Sequence, residues 1–172
     1  YNFDTDGYVA PDLTILNDIV TKSGITEMSY QQEPDSILWC VRDDGILAGL
    51  TYQRSENVVA WHRHIFGGSF GSGNSVCESA ASISGTLTED ELWVIVKRTI
   101  NGATKRYVEC FSDFDFDETT ATDFKFLDSH LNYSGSATTT LSGLSHLEGQ
   151  TVSILADGCL LYTSPSPRDT RE

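Results

Sequence analysis

Five groups of residues have the types and spacing that chemistry requires. His62 and His64 stand two apart in a run that reads as a β-strand, so both imidazoles face one side and could share a metal ion. Nothing in the spacing supplies a third ligand, and a polar sheet face or a subunit contact is the plainer reading. Asp113, Asp115 and Asp117 alternate with Phe114 and Phe116. Alternate carboxylates are a feature of calcium loops, but the glycine and distal glutamate of an EF-hand are missing. Like charges on one strand face repel, which fits a solvated linker or a guarded sheet edge. Asp43 and Asp44 could be a carboxylate pair of the glycosidase kind, yet adjacent residues at a glycine turn point apart and the turn already accounts for them. Ser69, Ser72 and Ser75 lie in or beside GGSFGSGN, which is neither G-x-S-x-G nor a phosphate loop. Trp39, Trp61, Trp93 and Tyr52 could form an aromatic ledge for sugar rings, although aromatic residues on short strands more often fill a core. No catalytic set emerges, and the residues call for no metal and no cofactor.

The elements that must position these residues are short strands. Three of them read as 36–42, 46–53 and 58–65, joined by the turn Asp43-Asp44-Gly45 and the polar run Arg54-Ser55-Glu56-Asn57. Upstream, residues 25–31 read as a strand, and Glu33-Pro34-Asp35 breaks the chain after it. Residues 11–20 read as the single helix: Pro11 suits a helix start, Asp12 the first turn, and Leu13, Leu16 and Val20 share a face before Lys22-Ser23-Gly24 ends it. Downstream, the glycine-rich 67–74 reads as a connection. Residues 75–84 and 92–98 read as strands, and Asn101-Gly102 is the strongest hairpin turn in the chain, returning into 105–111. Leu92-Trp93 echoes Leu38-Trp39 at a separation of fifty-four residues, a spacing compatible with repeated propeller blades. Residues 113–123, DFDFDETTATD, mark a boundary, after which 124–131 and 151–155 begin a new pattern. Ala156-Asp157-Gly158 opens a hairpin whose second strand is expected to be missing.

Composition narrows the function classes. A hydrophobic content of 39% is enough to build a core, which excludes wholesale disorder. A formal net charge of −14 opposes specific nucleic-acid binding and an anionic membrane surface alike. No run reaches the ~18 apolar residues of a transmembrane helix. The start, YNFDTDGYV, has neither the basic nor the apolar run of a signal peptide, and it lacks an initiator methionine, so the chain is expected to begin mid-protein. Cys40, Cys77, Cys110 and Cys159 form no metal or redox motif, and Cys40 and Cys110 read as small apolar strand residues.

The runs LWCVRDDG (38–45), GLTYQ (49–53) and VVAWHRH (58–64) resemble the tail nozzle, or tail tubular protein B-like, family of short-tailed bacteriophages. APDLTIL, ITEMSYQQEPDS, ELWVIVKR and GLSHLEGQTVSILADG fit the same family, so the resemblance spans nearly all of 8–158. These are packing and turn patterns rather than catalytic signatures. The resemblance implies an all-β, mainly antiparallel fold. Residues 1–112 would be partial β-propeller-like blades with a connector helix near 11–20, and 113–123 an acidic linker. Residues 124–158 would begin a small, truncated β-sandwich-like module. It implies a structural virion protein that assembles into a six-fold homo-oligomeric ring with other phage tail proteins. DNA would pass through the channel without being specifically bound, and no membrane partner is implied. CLLYTSPSPRD, within 159–172, resembles a translated sequencing adapter, and that tail is expected to be foreign to the domain. The other functions weighed are a host-surface carbohydrate-binding module and a tail-borne glycan hydrolase. An incomplete propeller would expose unpaired strand edges and fold poorly alone.

Overall fold

The structure is a computed structural model and describes residues 6–8, 10–85, 89–112, 127–156 and 159–162. It is all-β, and its strands pair antiparallel throughout. The boundary expected at 113–123, with Asp113, Asp115 and Asp117, lies outside the described residues.

The first sheet is a meander of β1 (Ile25–Gln31), β2 (Ile37–Arg42), β3 (Leu47–Gln53) and β4 (Val58–His64). Asp43-Asp44-Gly45 closes β2 onto β3: Gly45 N–H donates to the Arg42 carbonyl, and Gly45 takes φ +80°. That is a three-residue loop with its last position left-handed, a conformation open to glycine. Space demands glycine here too, because a Cβ on Gly45 would press on Val76. The glycine-rich 67–74, read as a connection, carries a small hairpin of β5 (Ser69–Phe70) and β6 (Gly73–Asn74).

The second sheet is β7 (Val76–Ser84), β8 (Asp90–Ile100) and β9 (Ala103–Cys110). In β8 the alternation is complete: Leu92, Val94, Val96, Arg98 and Ile100 are buried, and the residues between them are half-buried. Asn101 and Gly102 both take positive φ, 48° and 73°, the two-residue turn whose twist matches the strands it joins.

The inner faces of the two sheets share one core. Trp39, Val41 and Leu47 of the first sheet meet Cys77, Ala80, Leu92, Val94 and Val96 of the second, with Phe66 sealing the end. Several non-local hydrogen bonds tie the sheets together. Gly45 carbonyl accepts from Cys77 N–H at 2.8 Å, and the Asp90 carboxylate accepts from the Gln32 and Glu33 amides at 2.8 and 3.2 Å. On the outer face of the first sheet Val20 packs on Cys40 and Ala48.

The helix expected over 11–20 does not form. The segment is a run of turns ending in a 3₁₀ helix at Asp18–Thr21. Asp12 Oδ1 accepts from both the backbone N–H and the hydroxyl of Thr14, a side-chain turn that competes with the helix, and Asn17 breaks the path at φ −156°. The Leu13 carbonyl accepts from Trp61 Nε1 at 2.9 Å instead of a helical amide, and Leu16 remains 97% exposed. The hairpin opened by β10 (Ser153–Ala156) does have a second strand: β11 (Cys159–Tyr162) pairs with it from Ser153↔Tyr162 to Ala156↔Cys159. CLLY is a short apolar run that begins after only two residues following β10, and such a run can pair whatever its origin.

Candidate functional site

The residues with most chemical potential converge at one edge of the core. Strand parity puts His62 and His64 on the inner face of β4, and Trp61 and Arg63 on the other. His62 sits opposite Gly49 in the register. A Cβ on Gly49 would lie 2.7 Å from His62 Nε2 and closer still to Cε1, so the imidazole occupies the space a side chain at 49 would fill. Trp39 meets both imidazoles edge-on, at 5.5 and 5.2 Å between centroids, and Phe111 closes on His64 at 5.7 Å. His62 Nδ1 and His64 Nε2 are 2.7 Å apart, and Thr51 Oγ1 lies 3.4 Å from His62 Nε2.

The His62–His64 contact requires one nitrogen to donate and the other to accept, so the rings cannot both be doubly protonated. Burial lowers the pKa of both. The positive charge His62 would carry lowers His64 further, while the Asp128 carboxylate raises it. That bond engages the two nitrogens that face each other, and with the contacts to Trp39 and Phe111 it makes the pair a packing and hydrogen-bonding unit. Among the described residues no group of three or more His, Cys, Asp or Glu side chains is placed to hold a metal ion.

The aromatic ledge is not assembled. Trp39 is in the core, its Nε1 donating to Gln31 Oε1 at 2.8 Å. Trp61 and Tyr52 lie on the outer face of the first sheet, and Trp93 on the outer face of the second, donating to Glu91 Oε2. Four aromatics at odd or even positions share a ledge only if their strands share a face, and these do not. The Leu-Trp echo is likewise out of phase: in β2 the tryptophan enters the shared core, and in β8 the leucine does.

No family model matches this chain, and no curated protein matches it.

The remaining groups serve the scaffold. The Asp44 carboxylate accepts from Arg42 Nη2 and from Ile46 N–H, and the Gly24 carbonyl accepts from Asp43 N–H, so both aspartates are engaged as turn residues. Ser75 Oγ donates to the Phe66 carbonyl at 2.7 Å, which holds the glycine-rich loop to the core. Cys40 and Cys77 are free thiols, and burial pushes Cys77 up to about 11. Cys40 and Cys77 are buried as small apolar residues, whereas Cys110 is exposed.

One pair passed unnoticed in the sequence. Arg98, 3% exposed, forks onto Glu109 with both terminal nitrogens, and its Nε donates to the Gly67 carbonyl at 2.7 Å. The signal was present: Arg98 falls on the inward parity of Leu92, Val94, Val96 and Ile100. Counting outward from Asn101-Gly102 places Glu109 on the same face.

Proposed function

We propose that this chain is part of a structural tail protein of a short-tailed bacteriophage, a nozzle or tube component that assembles into a ring and carries out no catalysis. The observation that supports the reading is where the resembling runs fall. LWCVRDDG, GLTYQ and VVAWHRH are β2, β3, β4 and the first hairpin turn, and ELWVIVKR is the body of β8. They are the residues that build two sheets around one core. A four-stranded antiparallel meander is also the form of one propeller blade. His62, His64, Trp39, Asp44 and Arg98 are engaged in packing, turns and ion pairing, which suits a part whose work is mechanical. Acidic walls would let DNA slide through a channel without adhering.

The test is to read the gene directly from its source DNA, express the whole reading frame and image the product by negative-stain microscopy. Rings of rotational symmetry, six-fold by the resemblance, are expected, with rotation-related head-to-tail contacts. A product that stays monomeric and joins no ring overturns the proposal.

A further inference from the structure

Where the end of the β8–β9 hairpin meets the 3₁₀ turn Ser145–Leu147, the surface opens into a cavity of about 450 Å³. That is within the ~300–1,000 Å³ range of small-molecule sites. Ile100 and Ala103 give it an apolar floor, and Tyr107 and His146 give it two ring walls at 77° to each other, 6.5 Å between centroids. Its polar lining is Asn101, Lys105 and Glu148. The walls are fixed from outside the cavity. His146 Nε2 donates to the Ser129 carbonyl at 3.1 Å, which leaves Nδ1 as the nitrogen available to a ligand. Gln150 Nε2 donates to the Thr99 carbonyl at 3.1 Å and holds the 145–150 segment to β8.

The electrostatics are what mark the place. Lys105 and Glu148 carry opposite charges into one cavity, yet among the described residues neither side chain forms an ion pair or a hydrogen bond. Elsewhere on this sheet such charges are used: Glu78 holds both Lys97 and Arg106, and Glu109 holds Arg98. An ammonium and a carboxylate that do not pair, lining one cavity with an amide and an imidazole nitrogen, present donors and acceptors to a ligand that has both. The adjoining ring walls suit a ligand with an apolar C–H face. A pyranose has that combination: hydroxyls that accept from Lys105 and Asn101 and donate to Glu148, and a face of C–H groups for Tyr107.

We propose that this cavity is a saccharide-binding site for one or two neutral sugar rings, held by Lys105, Glu148, Asn101 and the Tyr107–His146 walls. It is independent of the tail reading and stands apart from the tryptophans. The test uses the purified 172-residue chain, with N-acetylglucosamine, galactose and their β-linked disaccharides at millimolar concentration. The readouts are saturation-transfer NMR on the sugars and amide shift changes on the protein. The expected result is transfer to at least one sugar, with amide shifts at Lys105, Tyr107, His146 and Glu148. Affinity should fall about tenfold or more in each of Lys105→Met and Glu148→Gln, the loss expected for a hydrogen bond to a charged group. Trp93→Phe, on the outer sheet face, should bind like the parent. Lys105 and Glu148 are exposed, so neither substitution disturbs the core, and circular dichroism checks that. No transfer from any of these sugars overturns the proposal, as do shifts confined to other surfaces or binding unchanged in both variants.

Discussion

A single absent methyl group decides how β4 lies on β3. Glycine inside a strand is ordinarily less stable than alanine by roughly 0.5–1 kcal/mol, so Gly49→Ala on secondary structure alone would stabilise. The space a Cβ would need is taken by His62, whose ring is held by Trp39, His64 and Thr51. The steric term therefore wins, and Gly49→Ala is expected to destabilise by about 2 kcal/mol, the middle of the range for overpacking. Urea unfolding measures this, and adding His62→Ala should remove most of the penalty that Gly49→Ala adds. If the two penalties simply add, the space at 49 is not set by His62. The same histidines set a pH dependence. Burial depresses both below the unfolded value of about 6.5, so the unfolded chain binds protons that the folded chain excludes. Stability is then complete above about pH 6.5 and declines as pH falls toward the folded values, a loss that Asp128 moderates at His64. Melting temperature should drop between pH 7 and pH 5, and the drop should shrink in a His62→Gln/His64→Gln double variant.

Elements are joined here by ion pairs whose worth differs with burial. Arg98 is buried and ties β9 and the Gly67 loop to β8, so removing its partner strands a charge in the core. Glu109→Gln is expected to cost about 2–3 kcal/mol, below the 3–5 kcal/mol of a fully buried pair because Glu109 is itself 22% exposed. Arg98→Met, which removes the charge and keeps the stem, should cost less. Denaturant midpoints that put the two in the reverse order would show that Arg98 matters as packing. Glu78, on the outer face at the β7 bulge, is different. Its bonds to Arg106 and Lys97 hold it down to about 2, so its contribution is present above the ordinary carboxylate range and is lost as pH falls through about 2. That step is separate from the histidine step and small, because water screens the pair. What the sequence disclosed about these elements follows from how local their causes are. The strands of both sheets and the Asn101-Gly102 turn are legible, since alternation and left-handed turn residues act within a few positions. The helix at 11–20 failed although its periodicity was sound, because Asp12 and Trp61 offered its backbone competing partners, one of them forty-eight residues away. The aromatic ledge failed for a related reason: which face a tryptophan takes depends on the register between strands. His62 and His64 succeeded because parity within one strand is enough to place them together.

At the scale of the molecule the question is whether two sheets make one folding unit or two. Separate blades would each close their own core, and damage in one would stay there. Here Leu47, fully buried in β3, belongs to the same cluster as Val94 and Val96 of β8, and Trp39 and Val41 complete the contact. The backbone bond from Cys77 to Gly45 and the Asp90 cap on Gln32 and Glu33 couple the sheets at two further points. Leu47→Ala opens a cavity in that shared core and is expected to cost about 3 kcal/mol. Because the cavity faces both sheets, the loss should reach amides that Leu47 does not pair with. Hydrogen exchange in the variant should therefore quicken by a similar free energy in β2, β3 and β8, with one unfolding transition throughout. Faster exchange confined to β1–β4, with β7–β9 unchanged, would mean that the sheets open independently. The core between them would then be a docking surface of two units, as between blades of a larger propeller, instead of the interior of one.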